Sequence, residues 1–570
     1  MDPPHPSGDH EQRFPYEALP AVASSDPLRR TVTLGLFVSG LTEVELKFLV
    51  PQEARDAIAA QMVRKSASLE RRTLAALYLD TADRRLAQAG IAWRLRREGR
   101  RWIQTVKAGG AGALERFEHE VIRSAPIHDA TAHAGTRTGD KLVRILRAAE
   151  KDGLDVGVRF RTEVRRITRR VRIKGALVEV AFDEGRLLAD GSRLRLRELE
   201  LELVSGSLVA MLAMAERWRK RFDLVYDPRS KSERGDNLAQ GKVITAVRKA
   251  RTLAYASDST ALTAFGTVLD ECLDQVACNA IGLVDGDPAL RREHVHQARV
   301  GIRRLRTALR GFEGWVPPAP ADLVDGLRDL FAELGGARDS DVLESGVVTE
   351  LASVGAPPLT IAQAPAGADP VAIVRDPRTQ QLLLAWITWR VGLAEALPTS
   401  AQPPPGSESA SDSDSDSAGA GAGATPEAEA GDAGRGLGAP EASLRRKAER
   451  RIRRWHRRIV RDYQAFHDLG EEELHSLRKR IKRQRYAVEF LAPLMRSRDV
   501  ARYLKPLAAV QDRMGELNDL FVARQRYQAL VDSDPAAWFA VGWLAARLKE
   551  VRQSARIGLK RFAKAGPPGR

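Results

Sequence analysis

Two periods of hydrophobic residues divide the chain into a strand-rich part and a helical part. Between about 41 and 236, apolar and polar residues alternate in short segments such as EVELKFLV, AWRLRRE and RELELELVSG. This alternation is typical of β-strands, whose successive side chains point to opposite faces. From about 245 onward the apolar residues follow helical spacing. We predict a multidomain protein with an α+β domain over 39–240, followed by an all-α domain.

The helical part contains an internal duplication. The segment 293–312 resembles 472–491, and the segment 330–343 resembles 510–523. Both pairs are separated by about 180 residues, which indicates a repeated structural unit rather than chance similarity. We predict a duplicated helical bundle whose halves lie at 250–398 and 441–565.

Two stretches lack any hydrophobic period. Residues 1–38 are rich in Pro, Ser and Asp, and we expect them to form a flexible N-terminal tail. Residues 399–440 combine Ser, Gly, Ala and acidic residues without a single aromatic residue. Such a segment cannot bury a core, so we predict a disordered, acidic linker between the helical halves.

The charge and the cysteine content limit the classes of partner and of site that we expect for this chain. The 570 residues include 91 Lys and Arg against 75 Asp and Glu, a formal net charge of +16. This excess predicts a polyanionic partner such as phosphate chains, nucleic acid or a membrane surface, although a solvated Arg-rich surface is the alternative. Cys272 and Cys278 are too few for a disulfide framework and lack CxxC spacing. No apolar run approaches the ~20 residues that span a bilayer, so we expect a cytoplasmic protein without a membrane span.

Several predicted strands carry charges of one sign on one face. Acids align in two of them and bases in another, whereas an ordinary exposed sheet face, which is the alternative for any single strand, mixes both signs. A divalent cation relieves repulsion within a row of carboxylates, and a phosphate chain relieves a row of cations. A closed sheet with both rows facing inward would hold a metal–triphosphate complex. The aligned residues are Glu43, Glu45 and Lys47; Glu198, Glu200 and Glu202; Arg94 and Arg96; Lys107 with Thr105; and Asp183 with Glu179.

The order of these segments resembles one family. EVELK matches the ExExK motif of the CYTH family, the triphosphate tunnel metalloenzymes, and seven further segments follow in the family's order. They are YLDT (78–81), GIAWRLR (90–96), QTVK (104–107), RFEHE (116–120), FRTEVRR (160–166), VEVAFDEG (178–185) and ELELEL (198–203), before SK (230–231). The resemblance covers about 41–236. It implies an antiparallel β-tunnel that holds a triphosphate together with Mg²⁺ or Mn²⁺.

The resemblance also implies roles for individual residues. Glu118 and Glu120 are further candidates, with structural pairing as the alternative, and Arg166 is the alternative to its neighbour Arg165. The implied catalytic residues are Glu43, Glu45, Lys47 and Asp183. The implied metal ligands are Glu43 and Glu45 with acids among Glu198, Glu200 and Glu202. The implied phosphate-binding residues are Lys47, Arg94, Arg96, Lys107, Arg165 and Lys231.

The implied activity is hydrolysis of inorganic triphosphate to pyrophosphate and phosphate. Metal and fixed cations stabilise the charge that develops on the transferring phosphoryl group. Other triphosphates, including thiamine triphosphate and nucleotides, are alternative substrates. Nucleotide cyclisation, which also occurs among CYTH proteins, is a further alternative.

In the helical part, a basic stripe runs beside the apolar stripe of each repeat. Cations without interleaved acids suit a polyanion, although a solvated helix face is the alternative. With HxxRxxxRR (296–304) and LGxxRDxDV (334–342), this part resembles the CHAD domain, which implies polyphosphate binding. Arg338, Asp339 and Asp341 are interpreted as a structural ion-pair motif, and the two histidines as either caps or ligand contacts. The stripes are His296, Arg299, Arg303 and Arg306 in one repeat, and His475, Arg478, Lys482 and Arg485 in the other.

Three other interpretations of the whole chain stay open or are disfavoured. A non-catalytic protein that binds polyphosphate and targets it to granules is the runner-up. Nucleic-acid binding is disfavoured, because aromatic residues make up only 6% and no base-reading motif is present. Self-association of the helical bundle into a homo-oligomer is compatible with the resemblance.

Overall fold

The structure is a computed structural model of the chain. The predicted tail lies outside the described residues except for Phe37–Val38, and the predicted linker lies outside them except for residue 440. Arg338, Asp339 and Asp341 also lie outside them. The described residues are 37–38, 42–64, 68–110, 114–242, 244–336, 347–357, 368–395 and 440–569.

The N-terminal domain is built around one antiparallel sheet. Its strands β8 (Ala176–Ala189) and β9 (Ser192–Gly206) are joined by Asp190 and Gly191, which both adopt positive φ (41° and 80°). Asp-Gly between alternating segments is the usual signal for such a two-residue turn. The strands are β1 (Phe37–Val38), β2 (Thr42–Leu49), β3 (Glu70–Thr81), β4 (Ile91–Glu98), β5 (Arg101–Gly109), β6 (Glu115–Arg123), β7 (Val156–Ile173), β8 (Ala176–Ala189), β9 (Ser192–Gly206) and β10 (Val225–Tyr226).

The sheet closes into a barrel. The strand order is β6-β5-β4-β3-β7-β8-β9-β2, and β2 pairs with β6 to complete eight antiparallel strands. The short strands β1 and β10 add to β6 and β2. Closure leaves each barrel strand with a neighbour on both sides, so the sheet has no free edge. The predicted antiparallel β-tunnel is confirmed.

The barrel turns its charged face inward and its apolar face outward. Phe48, Phe182, Leu199 and Leu201 are almost fully buried on the outer face, where helices cover them. Because side chains alternate, burying these residues outside the barrel commits Glu43, Glu45 and the acids of β9 to its interior. The helices of this domain are α1 (Arg55–Val63), α2 (Arg85–Gln88), α3 (Arg137–Lys151), α4 (Leu208–Phe222) and α5 (Lys231–Ala239).

The C-terminal domain is helical in all its described elements. The repeats place α7 and α13 at corresponding positions, and the two helices contact each other. The apolar stripe of each repeat is buried, as with Ile302 and Ile481. The helices are α6 (Ala261–Asp285), α7 (Arg291–Gly311), α8 (Ala321–Gly336), α9 (Val347–Ser353), α10 (Pro370–Arg375), α11 (Pro377–Glu395), α12 (Pro440–Gln464), α13 (Glu471–Leu491), α14 (Ser497–Gln528) and α15 (Ala537–Ala565).

The two domains pack directly on each other. Ala277 of α6 and Leu384 and Ile387 of α11 join the hydrophobic cluster on the outside of the barrel. The Tyr226 N–H donates to Gln380 Oε1 over 2.9 Å. One end of the barrel therefore faces the helical domain. In the part of the chain that the structure describes, every helix is too short or too polar to cross a bilayer.

Candidate active site in the tunnel

The barrel encloses a cavity of about 1290 Å³ lined mainly by charged side chains. At one end its lining includes Glu70, Arg72 and Arg170, which are exposed. At the other end the lining includes residues of 246–254 and residues of 267–278 in the middle of α6 (Ala261–Asp285). The cavity is thus a tunnel with one end open to solvent and the other beside the helical domain.

Acids of β2 and β9 face each other across one wall. The strand register places Glu45 opposite Glu202 and Lys47 opposite Glu200. Burial, and then the charges of Glu43 and Glu179, raise the pKa of Glu202 to about 8. Like charges in directly opposed positions destabilise a sheet unless a cation lies between them. This wall therefore has the charge distribution of a cation site.

A second acidic group lies beside this wall, and cationic side chains already form ion pairs with it. Carboxylate oxygens of Asp183, Glu198 and Glu200 lie within 4.8 Å of one another. Arg166 donates to both oxygens of Asp183 (2.7 Å each) and to Glu200 (2.5 Å). Lys231 Nζ lies 2.8 Å from Asp183 and 2.7 Å from Glu200, and it also contacts Glu198. These ion pairs neutralise the group.

The neighbouring cations explain why two carboxyl groups of this second group have lowered pKa values. Burial alone would raise the pKa of Asp183, but the charges of Arg166 and Lys231 outweigh burial and hold the pKa below its usual value. The same balance, through Lys231 and Arg166, lowers the pKa of Glu200. Both carboxylates are therefore ionised at neutral pH.

The opposite wall carries the predicted row of cations. Arg94 and Arg96 of β4 point inward next to Lys107 of β5. Lys107 Nζ lies 2.7 Å from Glu43 and 2.8 Å from Glu118. Burial and the neighbouring Arg94 guanidinium lower the pKa of Arg96, although Glu98 and Glu120 lie 2.7 and 3.3 Å from its Nη2. A polyanion in the tunnel would relieve this repulsion.

The strand register shows that one residue predicted to bind phosphate in the tunnel, Arg165, faces outward. Arg165 lies opposite Glu184 and Thr73, is exposed on the outer face, and does not line the cavity. Arg166 is paired with Asp183 on the adjacent strand and points into the tunnel. Because neighbouring residues of a strand face opposite sides, only one of the two arginines can face inward. The inward arginine is Arg166.

Other predicted residues differ in how close they lie to the cavity. Lys47 lines it, and its ammonium donates to the Arg229 carbonyl over 2.7 Å. Glu198 does not line it, because its carboxylate lies behind the cavity wall in contact with Lys231 and Arg234. The remaining predicted tunnel residues all line the cavity: Glu43, Glu45, Arg94, Arg96, Lys107, Asp183, Glu200, Glu202 and Lys231.

Among the lining cations that were not predicted from the sequence is Arg116. Arg116 of β6 lies 3.0 Å from Glu45 and opposite Glu43 in the register. It shares its strand face with Glu118 and Glu120, which were named as candidates. Period-two alternation along RFEHE was therefore a sufficient signal to include it.

Comparison with known proteins agrees with this geometry. A CYTH domain model matches residues 41–235, and a CHAD domain model matches residues 267–528. The chain consists of a CYTH domain followed by a CHAD domain.

Three relatives cover parts of these domains. An inorganic triphosphatase of Haemophilus influenzae is 25% identical over 210 residues, 36% of this chain and 57% of the relative, so the match spans little more than half of that protein. The crystal structure of the CHAD domain from the plant Ricinus communis is 29% identical, with a TM-score of 0.40, and covers 55% of this chain and 96% of that one. A Hippeastrum protein named as an adenylyl cyclase, and described with a dominant triphosphatase activity, is 17% identical, with a TM-score of 0.25, and covers 35% of this chain and 96% of that one.

In the CHAD domain, the first predicted basic stripe packs against an aromatic ring. The guanidinium carbons of Arg299, Arg303 and Arg306 lie 4.4, 5.8 and 5.9 Å from the ring centre of Phe331 on α8. His296 lies on the same face of α7 and is half-buried. Cation–π contacts hold these arginines in place, so this stripe is a packed surface with exposed edges.

The second predicted stripe is partly neutralised. His475 Nδ1 lies 2.9 Å from Asn518 Oδ1 of α14. Arg485 pairs with Glu489 one turn later on the same helix, at 2.8 Å. Arg478 and Lys482 lie between them on α13 and are half-buried. Both stripes thus face a neighbouring helix of their own repeat.

A larger basic surface lies on α12 and was not singled out from the sequence. Its exposed side chains, here called the α12 cationic face, include no acid among the described positions. Burial, and then Arg310, Arg480 and Arg458, lower the pKa of Arg483 on the adjacent α13, so cations crowd this part of the CHAD domain. The dense run of arginines after 444 was the available signal. The α12 cationic face consists of Arg446, Lys447, Arg450, Arg453, Arg454, Arg457, Arg458 and Arg461.

Proposed function

We propose that the protein is a metal-dependent inorganic triphosphatase, which hydrolyses triphosphate to pyrophosphate and phosphate inside the CYTH tunnel. One observation carries the proposal: the tunnel inside the closed sheet has carboxylates of β2, β8 and β9 on one side and the arginines of β4 on the other. A metal and a linear polyanion would fit side by side between these walls. A short phosphate chain has the charge and the width that such a tunnel accepts.

The donor atoms determine the class of metal. Glu43, Glu45 and Glu202 offer only carboxylate oxygens, which favour hard cations such as Mg²⁺ and Mn²⁺. Glu45 and Glu202 are directly opposed, and among the described residues no lysine or arginine forms an ion pair with Glu202. A divalent cation here would replace the ion pairs of Glu43 with Lys107 and of Glu45 with Arg116. In the group of Asp183, Glu198 and Glu200, whose oxygens lie within 4.8 Å of one another, it would have to displace Arg166, Lys231 and Arg234. When bound, the cation neutralises phosphate charge and polarises the anhydride.

The protein's own cations position the phosphate chain. Arg94, Arg96 and Arg166 present planar guanidinium groups toward the cavity, where they would donate to the oxygens of successive phosphoryl groups. Arg166 would share the donors that it gives to Asp183 and Glu200. Lys107 and Lys231 already bind tunnel carboxylates and would share their donors with the ligand. These fixed donors stabilise the charge that moves to the leaving pyrophosphate.

Water supplies the remaining atoms of the reaction. A water oxygen forms a bond to the terminal phosphorus while the anhydride P–O bond breaks, and a tunnel carboxylate accepts the water proton. Pyrophosphate leaves with the electron pair of the broken bond. The reaction needs no further reactant.

A substrate panel tests this function. We expect phosphate release from triphosphate with Mg²⁺ or Mn²⁺, and a loss of roughly a hundredfold or more in Glu43→Ala. Glu163→Gln is the control, because Glu163 pairs with Arg186 on the outer face of the barrel. Longer polyphosphate, thiamine triphosphate and nucleotides are the competing substrates. Absence of hydrolysis of all of them, with binding retained, would instead support the non-catalytic polyphosphate-binding protein.

We also propose that the CHAD domain binds polyphosphate. The α12 cationic face supports this second function, because eight exposed cations on one helix repel each other unless a polyanion covers them. A cytoplasmic protein with this surface would associate with polyphosphate granules. Titration with long-chain polyphosphate should show an affinity that falls steeply with salt. An affinity independent of salt would exclude this electrostatic mechanism.

A further inference from the structure

The loop 227–230 connects β10 to α5 of the CYTH domain and also contacts the CHAD domain through Arg229. Its Arg229 carbonyl accepts a hydrogen bond from Lys47 Nζ (2.7 Å), and its Asp227 N–H donates to the Lys47 carbonyl (3.0 Å). Lys47 is 5% exposed, so its ammonium is held mainly by protein groups. Lys231 follows the loop directly. The loop therefore fixes the lysine of β2 at both its backbone and its side chain.

The Arg229 side chain holds the loop without lining the tunnel. It is 3% exposed and lies outside the cavity lining, whereas Asp227 and Ser230 belong to that lining. Its Nε and Nη2 donate to the two carboxylate oxygens of Asp227 (2.8 and 2.7 Å), and its N–H donates to Asp227 Oδ1 (3.0 Å). These bonds determine the direction of the Arg229 carbonyl. Arg229 can thus affect a ligand in the tunnel only through Lys47 or its loop.

The Arg229 side chain also contacts the CHAD domain. Arg229 Nη2 also donates to Asp285 Oδ2 (2.8 Å), and Nη1 donates to Thr245 Oγ1 (2.5 Å). Asp285 is the last residue of α6, and it does not line the cavity. A continuous set of hydrogen bonds therefore runs from the end of the first CHAD helix, through Arg229, to the ammonium of Lys47.

We infer that Arg229 is a positioning residue for Lys47, and that Asp285 of the CHAD domain acts through it to raise the affinity of the tunnel for triphosphate. The inference rests on the proposed function, because it takes triphosphate as the ligand of Lys47. A lysine already held in its binding geometry loses less side-chain entropy when the ligand arrives. Substituting Asp285 would leave the Arg229 guanidinium, which forms a two-bond fork with the Asp227 carboxylate, less well fixed. The Lys47 ammonium would then be less well fixed too.

A double-mutant cycle tests this coupling. The affinity of the full chain for tripolyphosphate is measured by calorimetry without divalent cation, in wild type, Asp285→Asn, Lys47→Met and the double variant. We expect Asp285→Asn to weaken binding about fivefold, and to have no further effect in the Lys47→Met background. Asp285→Asn removes a negative charge, so long-range electrostatics alone would strengthen binding of the anion. The sign of the change therefore separates positioning from simple charge.

Two further variants complete the design. Asp287→Asn is the matched control, because Asp287 lies two residues after Asp285, is exposed like it, does not line the cavity, and accepts a hydrogen bond from the Ala289 N–H over 2.9 Å. It should leave the affinity unchanged or slightly higher. Arg229→Lys keeps the charge but loses the fork, and it should weaken binding like Asp285→Asn while the protein stays folded.

The outcomes distinguish this inference from the proposed function. If Lys47→Met binds tripolyphosphate like wild type, the phosphate-binding role of the tunnel lysine fails. If Lys47→Met weakens binding but Asp285→Asn and Arg229→Lys do not, the positioning role fails and the triphosphatase proposal stands. Additive losses in the double variant, accompanied by a lower unfolding temperature, would assign Asp285 a structural role and overturn the inference.

Discussion

The two domains use cations in opposite ways. In the CYTH tunnel, each predicted cation lies close to carboxylates, as Lys107 does between Glu43 and Glu118. On the α12 cationic face of the CHAD domain, the exposed positions are cations only. The tunnel holds its cations in a charge-paired enclosure, whereas the helix displays them to solvent.

This difference predicts two kinds of phosphate recognition. In the tunnel a ligand must exchange with existing ion pairs, so binding depends on geometry and on a metal that neutralises the carboxylates. On the helix a ligand displaces loosely held counterions, so binding depends on chain length and salt. The substitutions below test this difference, beginning with the one whose expected effect is largest.

The largest effect is expected at the two neighbouring arginines of β7. Arg166→Gln should lower kcat/KM for triphosphate by about 10²–10³-fold, because it removes a fixed donor from the tunnel. Arg165→Gln, its matched control on the outer face, should change kcat/KM less than about twofold. Steady-state kinetics of the two variants measures the difference. Equal losses in both, with unchanged unfolding temperatures, would mean that the tunnel register is wrong.

A smaller effect is expected at the acidic wall. Glu202→Gln should raise the Mn²⁺ concentration needed for half-maximal activity by about 10–100-fold, because the opposed Glu45 loses its partner ligand. Calorimetry of Mn²⁺ binding checks the same change without substrate. Glu163→Gln on the outer face should leave the metal requirement as it is. A metal requirement unaffected by Glu202→Gln would remove that residue from the metal site.

The tunnel domain should also respond to acid through a buried histidine. His133 is fully buried and contacts Gln104 and His119, at 3.0 and 2.9 Å. Burial, and then the charges of His119 and Arg123 against that of Asp129, lower the pKa of His133 to about 4. The unfolded chain binds a proton below about pH 6.5 while the folded one does not, so stability is lost as the pH falls from 6.5 toward 4.

This loss amounts to about 2 kcal/mol between pH 7 and pH 5. His133→Asn should remove most of it, although the variant is less stable than wild type at pH 7. Denaturant unfolding at both pH values measures the difference for the tunnel domain. An equal decrease in wild type and variant would assign the acid sensitivity to other groups.

The smallest effect is expected on the α12 cationic face. Arg454→Gln and Arg458→Gln should each weaken binding of long polyphosphate by several fold and reduce its salt dependence by about one unit of log–log slope. Triphosphate hydrolysis should be unaffected. Arg144→Gln and Arg147→Gln on the exposed side of α3 are the controls for net charge. If the controls weaken binding equally, the CHAD surface has no particular role.

The sequence was sufficient to predict the side chains that face the tunnel where the alternation of polar and apolar residues alone determines which way they point. Alternation in EVELK and ELELEL placed Glu43 and Glu200 inside the barrel. It was insufficient where two residues competed for one position. Arg165 and Arg166 are chemically identical, and only pairing with Asp183 on β8 decides which faces inward.

Local sequence patterns could not predict contacts between residues that are far apart in the chain. Lys47 bonds a carbonyl 182 positions away, and that carbonyl is fixed by the end of α6. Nothing in the local sequence around Arg229 indicates this arrangement, because it arises from the packing of two domains. The α12 cationic face, in contrast, is visible in the sequence as a run of arginines after residue 444.

The central claim is that metal and triphosphate bind together inside the tunnel. A crystal structure of the full chain with tripolyphosphate and Mn²⁺, with anomalous data at the manganese edge, tests it most directly. We predict an anomalous peak beside Glu43, Glu45 and Glu202, with the phosphate chain along Arg94, Arg96 and Arg166. Peaks and phosphate density confined to the surface of the CHAD domain, with an empty tunnel, would contradict it.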